Sequence, residues 1–116
     1  MAKIESKKGL RQLEEIAPIA DGIMAARGDL YTELDYPHQI SDALKRIRRI
    51  AGDKSIAASR MLESLLKRPA PSCPDIMDLQ FLKEMGYAKF LIGDDICFEK
   101  DVLMQAIRIF TAIFSE

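Results

Sequence analysis

Asp21-Gly22-Ile23-Met24-Ala25-Ala26-Arg27-Gly28-Asp29-Leu30 is the stretch on which the reading of the chain turns. Ile23 to Ala26 form a short apolar strand that runs into a charged tip, Arg27-Gly28-Asp29. Such a strand holds its body in a core and presents charge at one rim. In a parallel α/β protein that rim, the carboxyl end of the strands, is where sites are assembled.

Outward from this stretch the chain alternates strand and helix patterns. Ala2-Lys3-Ile4-Glu5 alternates small or apolar with charged residues, as a strand end does. Ser6 is placed to cap a helix whose Leu10, Leu13, Ile16 and Ala17 share one face, stopped by Pro18. Tyr31 to Pro37 reads as a turn-rich passage. An amphipathic helix follows, with Ile40, Ala43, Leu44, Ile47 and Ile50 on one face and Gly52 as its stop. Its Lys45, Arg46, Arg48 and Arg49 read as a solvated outer face rather than an anion site. Ser55 to Ser59 is a third strand, and Arg68-Pro69-Ala70-Pro71-Ser72 a stiff loop. Ile76, Leu79, Leu82 and Met85 mark a helix closed by Gly86. Lys89 to Ile92 is a fourth strand ending at Gly93-Asp94-Asp95. A final helix from about Glu99 to Phe114 carries an apolar stripe wide enough to predict that most of it is buried. The order βαβαβαβα argues for an α/β fold with a parallel sheet.

Composition narrows the function classes. The chain has 116 residues, 48% hydrophobic and 30% charged, with Lys+Arg 17 against Asp+Glu 18 and a net charge of −1. That balance gives no reason to expect nucleic acid or a membrane surface as partner. No apolar run approaches the roughly 20 residues that span a bilayer, and the start lacks the apolar core of a signal peptide. Cys73, Cys97 and the single His38 have no metal-knuckle spacing, so a reduced, cytoplasmic setting is expected. There is no Gly-x-Gly-x-x-Gly loop and no Walker-type Gly-Lys-Ser/Thr, which removes both nucleotide-binding signatures.

Aligning the strands by their carboxyl ends collects Lys3 and Glu5, Arg27 and Asp29, Ser59, and Asp94 and Asp95. Lys3 and Glu5 are two apart and share one strand face. Glu5 and Asp29, on neighbouring strands, suit one hard divalent cation, since Mg²⁺ takes one or two carboxylates and leaves its other positions to water and substrate oxygens. A lysine beside such a site can neutralise a phosphoryl group or a developing enolate, and the Ser59 hydroxyl can carry or relay a proton. The pattern points to metal-assisted chemistry on an anionic oxyacid. Spacing alone also admits solvated carboxylates, or Asp29 as a helix cap.

Longer motifs add a resemblance. Ala2-Lys3-Ile4-Glu5 resembles the Lys-Ile-Glu strand of pyruvate kinases, and Asp21 to Leu30 is similar to their Asp-Gly-Ile-Met-Val-Ala-Arg-Gly-Asp-Leu signature. Ser59-Arg60-Met61-Leu62-Glu63-Ser64-Leu65, followed by Lys67 to Ser72, resembles Thr-Gln-Met-Leu-Glu-Ser-Met and its Lys-Pro-x-Pro-Thr continuation. The resemblance implies four βα units, strands five to eight of a TIM (β/α)8 barrel, in a single half-barrel domain over residues 1–116. It implies that Lys3 stabilises a transferring phosphoryl group, and that Glu5 and Asp29 bind Mg²⁺ or Mn²⁺ with phosphoenolpyruvate or pyruvate. The backbone of Ala26, Arg27, Gly28 and Asp29 takes the place of the segment that cradles the substrate carboxylate. Ser59 stands where the family has a threonine beside the substrate. The chain departs from the family at Tyr31, where the family has Gly after Asp-Leu. It departs again at Asp78-Leu79-Gln80-Phe81, against Asp-Val-Ala-Asn, and at Gly93 to Cys97, against Ser-Gly-Glu-Thr-Ala.

The family's first four strands are not in this sequence, and a strand that begins at Met1 leads us to expect a fragment or an engineered piece. Four parallel strands leave two open edges and an apolar concave face. The expectation is therefore an oligomer, closed by a second copy about a two-fold axis or by a chain supplying the missing strands. The functional expectation is a pyruvate kinase-like phosphotransferase, incomplete as this chain alone, that keeps the metal-enolate site. The alternative is a truncated, non-catalytic half barrel serving association. A class II aldolase-like barrel is a third reading that fits the Ala-Arg-Gly-Asp-Leu wording less well.

Overall fold

In the computed structural model, which describes residues 1–115, four strands form one parallel sheet in the order β1-β2-β3-β4. They are β1 (Ala2–Ile4), β2 (Ile23–Ala26), β3 (Ser55–Ala58) and β4 (Phe90–Leu91). Helices α1 (Lys7–Arg11) and α2 (Leu13–Ile16) join β1 to β2, and α3 (Arg27–Glu33) and α4 (Gln39–Ala51) join β2 to β3. Helix α5 (Cys73–Met85) precedes β4, and α6 (Asp94–Cys97) and α7 (Lys100–Phe114) follow it. The four βα units and the parallel sheet are those expected, and they have the arrangement of part of a barrel.

The register pairs Lys3 with Met24, Ile4 with Ala25, Ala25 with Ala57 and Ala58 with Leu91. Because side chains alternate along a strand, the two faces separate cleanly. Ile4, Ile23, Ala25 and Ala57 meet Leu13, Ala43, Leu44 and Ile47 of the helices in the main core. On the opposite face Lys3 is exposed, Leu91 is half exposed, and Met24, Ala26 and Ala58 are buried without joining either core cluster. A second cluster gathers Leu62, Leu65, Leu79, Ile96, Ala106 and Ile113 beneath α5 and α7.

Several local expectations need correction. The first helix breaks at Gln12 into α1 and α2, although Ser6 caps it as expected, its Oγ accepting from the Gly9 N–H at 3.1 Å. The passage from Tyr31 is not a turn at its outset: α3 runs to Glu33. Asp29 in the first turn complements the helix dipole, and fully buried Leu30 anchors the helix to the core. The basic face of α4 is only partly solvated. Arg48 Nε donates to the Gly86 carbonyl at 2.8 Å, and Arg46 reaches Leu10 O and the Glu14 carboxylate. The fourth strand is shorter than Lys89 to Ile92. Helix α7 buries only Ala106 and Ile113, with Met104 and Ile107 each 43% exposed. Its stripe is wider than the surface this chain offers it. Among the described residues no helix is long and apolar enough to cross a membrane.

Candidate functional site at the carboxyl rim

The carboxyl ends of β1, β2 and β3 bring the expected residues to one rim by different local means. Lys3 lies on the sheet face away from the helices, and Glu5 follows Ile4 at the end of β1, half-buried. Extending the β1–β2 register by one residue sets Glu5 beside Ala26, three residues before Asp29. Ala26 ends β2 with φ −82° and ψ 83°, and this bend turns Arg27-Gly28-Asp29 into the first turn of α3. Strand therefore passes directly into helix, so the helix's first amides stand at the rim.

Ser59 is tied into this turn. Its Oγ accepts from the Gly28 N–H at 3.1 Å. A Cβ at Gly28 would lie 3.1 Å from that same oxygen, a tight approach that would push the Ser59 hydroxyl back by a few tenths of an ångström. Ser59, Arg60 and Leu62 all hold positive φ, at 84°, 56° and 57°. Each such residue costs on the order of 1 kcal/mol. Burial of Met61 and Leu62, both 1% exposed, offsets it, since sinking one such side chain is worth about 1.5–3 kcal/mol.

The Arg27 side chain has a role that the sequence reading missed. Nε donates to Ala58 O at 3.0 Å and Nη2 to Ser59 O at 2.6 Å, while Nη1 pairs with Asp78 at 2.6 Å. The planar fork thus ties the end of β3 to α5. Its partners lie 31 to 51 residues away, so no local pattern announces them. Asp78, visible in the sequence only as the start of a motif, is the other half of this link.

Lys3, Glu5 and Asp29 make no side-chain hydrogen bond or ion pair with another described residue. Their charges are available at the rim. Among the described residues no group of three or more His, Cys, Asp or Glu converges as a metal cluster. A cation here would rely on the two carboxylates, with water and substrate oxygens completing its shell, a donor set suited to Mg²⁺ or Mn²⁺. Asp94 and Asp95 are exposed in the first turn of α6 and line a separate hollow with Arg60 and Glu63. They do not join Glu5 and Asp29.

Comparison with known proteins follows the same outline. The family model for the pyruvate kinase barrel domain matches residues 1–82. A pyruvate kinase of Methylorubrum extorquens is 43% identical over 82 residues, covering 68% of this chain and 17% of that protein. Pyruvate kinase 1 of Saccharomyces cerevisiae is 36% identical over 81 residues, 68% of this chain and 16% of that protein. A pyruvate kinase of Thermotoga maritima is 30% identical over 118 aligned positions, covering 100% of this chain and 25% of that protein. The chain thus spans about a sixth to a quarter of the length of these relatives. The family-model match ends within α5, after the departure at Asp78 to Phe81 and before that at Gly93 to Cys97.

Proposed function

The chain belongs to the pyruvate kinase family, and from that premise we propose that residues 1–116 form a half-barrel domain binding phosphoenolpyruvate or pyruvate with a divalent metal. In a complete barrel this site transfers phosphate between phosphoenolpyruvate and ADP. The observation that supports the reading most is the joining of two family motifs at one rim: Gly28 N–H meets Ser59 Oγ beside the free charges of Lys3, Glu5 and Asp29. Glu5 and Asp29 would hold Mg²⁺ or Mn²⁺, which when bound would supply positive charge to the oxyacid. The amides of the Ala26 to Asp29 turn receive the substrate carboxylate. Lys3 neutralises charge on the phosphoryl group, and the Ser59 hydroxyl stands beside the carbon that gains or loses a proton. Arg27 holds Ser59 in place through its backbone. The setting is cytoplasmic, and the open edges of the sheet are covered by a second copy or by a chain carrying the remaining strands. Calorimetric titration of Mg²⁺ with oxalate tests the site: heat that requires both components and disappears in Asp29→Ala supports it. Absence of metal-dependent oxalate binding in the assembled protein removes it.

A second reading is a non-catalytic association module. The half-exposed Tyr31 at the family's glycine position favours it, because a large side chain stands two residues from Asp29 where that position has none. The Mg²⁺–oxalate titration separates the two, since the module binds no metal-oxalate pair, and a lactate dehydrogenase-coupled assay tests turnover in the assembled barrel.

A further inference from the structure

On the outer side of the rim, α3, α4 and α5 enclose a cleft of about 590 Å³. That is the size of a small-molecule site. Its walls combine apolar side chains, Ile40 and Leu44, with two exposed aromatics, Tyr31 and Phe81. Two arginines reach it. Arg27 is neutralised there by Asp78, whereas the exposed Arg60 has no hydrogen-bond or ion-pair partner among the described residues. Lys45 Nζ adds positive charge 5.9 Å from the centroid of the Phe81 ring.

We propose that this cleft binds a small aromatic anion, its ring against Tyr31 and Phe81 and its charge on the Arg60 guanidinium. Three considerations carry the assignment. Arg27 and Asp78 cancel, leaving Arg60, which also borders the hollow of Glu63, Asp94 and Asp95, and Lys45 beside the Phe81 ring as the positive groups at the cleft, which favours an anion. Exposed aromatic faces flanking apolar carbon favour a planar ring, since aromatic pairs contribute beyond the area they bury. Three departures from the family motifs meet here, Tyr31 for Gly, Arg60 for Gln and Phe81 for Asn, while that at Gly93 to Cys97 lies at the neighbouring hollow. Scattered drift has no reason to place an extended charge and two rings around one cavity. Lys3, Glu5 and Asp29 are not in its walls, but Arg27, Gly28 and Ser59 are, so the cleft borders the turn of the metal-oxyacid reading without needing its metal.

Benzenesulfonate is a suitable probe because sulfonates are weak metal ligands and it carries one charge on one ring. Titrations followed by ligand-observed NMR are run with EDTA present, so the metal site is silent. Benzenesulfonate is expected to bind at least tenfold more tightly than methanesulfonate, which has the charge alone, and than benzyl alcohol, which has the ring alone. Arg60→Gln should weaken binding at least tenfold, and Phe81→Asn at least fivefold. Arg60→Asn, better suited to the positive φ, should match Arg60→Gln, which guards against a folding artefact. Equal binding of methanesulfonate, or unchanged affinity in both Arg60 variants, overturns the proposal. So does an absence of binding by benzenesulfonate.

Discussion

At the scale of single residues, Arg27 and Gly28 show how an ordinary motif becomes a joint. Replacing Arg27 with Met removes donors from two carbonyls at the end of β3 as well as from Asp78, and should cost about 2 kcal/mol. Asp78→Asn removes only a partly exposed ion pair and should cost less than about 1 kcal/mol. Urea denaturation of both variants checks the order, and equal losses would contradict it. Arg27→Lys should not restore stability, because an ammonium cannot span the fork. Tyr87 gives a pH-dependent counterpart. Its hydroxyl donates to Leu44 O at 2.7 Å, and burial, the largest influence, pushes its pKa well above the ordinary phenol range while Arg48 and Arg27 oppose the shift. A phenol kept neutral in the fold contributes stability that is fully present below the unfolded value near 10 and declines as pH rises above it. Tyr87→Phe should flatten that alkaline arm while lowering stability at neutral pH by about 1 kcal/mol for the lost hydrogen bond. A variant whose alkaline decline matches the parent's would sink this assignment.

At the scale of elements, the helix ends and the strained turn make opposite demands on backbone. Gly52 and Gly86 both have positive φ, but no atom lies within 4 Å of a Cβ at Gly52, while one at Gly86 would sit 2.9 Å from Arg48 Nε. Gly52 pairs its φ of 59° with ψ −133°, outside the left-handed helical well, so Gly52→Ala should cost about 2–3 kcal/mol of backbone strain despite the open space. Gly86→Ala falls in that well, at about 1 kcal/mol of strain, to which is added the displacement of Arg48 from its bond to the Gly86 carbonyl. Arg60→Gly should go the other way: it relieves about 1–2 kcal/mol of left-handed strain at an exposed site against roughly 0.5–1 kcal/mol of glycine entropy. Thermal unfolding of the three variants ranks them directly. These elements also mark what sequence patterns can carry. The apolar run of β2 and the periodicity of α4 were legible because burial on both faces of the strand and on one face of the helix dictates them. The left-handed turn at Ser59 to Leu62 was not, because none of its residues is glycine and its support comes from Arg27, distant in sequence. The start of α3 was misread for a related reason: Tyr31 and Thr32 are indifferent helix formers, and Leu30's burial decides the matter.

For the molecule as a whole, the exposed faces are the main consequence of carrying four strands. Leu91 and Phe98, 49% and 83% exposed, and the half-covered stripe of α7 lie where further structure would be expected. Sequence periodicity foretold the stripe but not its exposure, since the surface that would cover it is not supplied by these residues. Of the site, the rim positions of Lys3, Glu5, Asp29 and Ser59 were readable from strand ends and motifs, whereas the Arg27–Asp78 link and the outer cleft needed the fold. Light scattering at micromolar concentration should give an oligomer, and a well-folded monomer would remove the association claim. The central claim is that Glu5 and Asp29 form one metal site completed by an oxyacid. Electron paramagnetic resonance of Mn²⁺ added to the assembled protein tests it most directly. The account predicts a bound Mn²⁺ signal that changes on adding oxalate and is lost in both Glu5→Gln and Asp29→Asn, but retained in Arg60→Gln. Mn²⁺ binding that ignores oxalate, or that survives removal of both carboxylates, would contradict it.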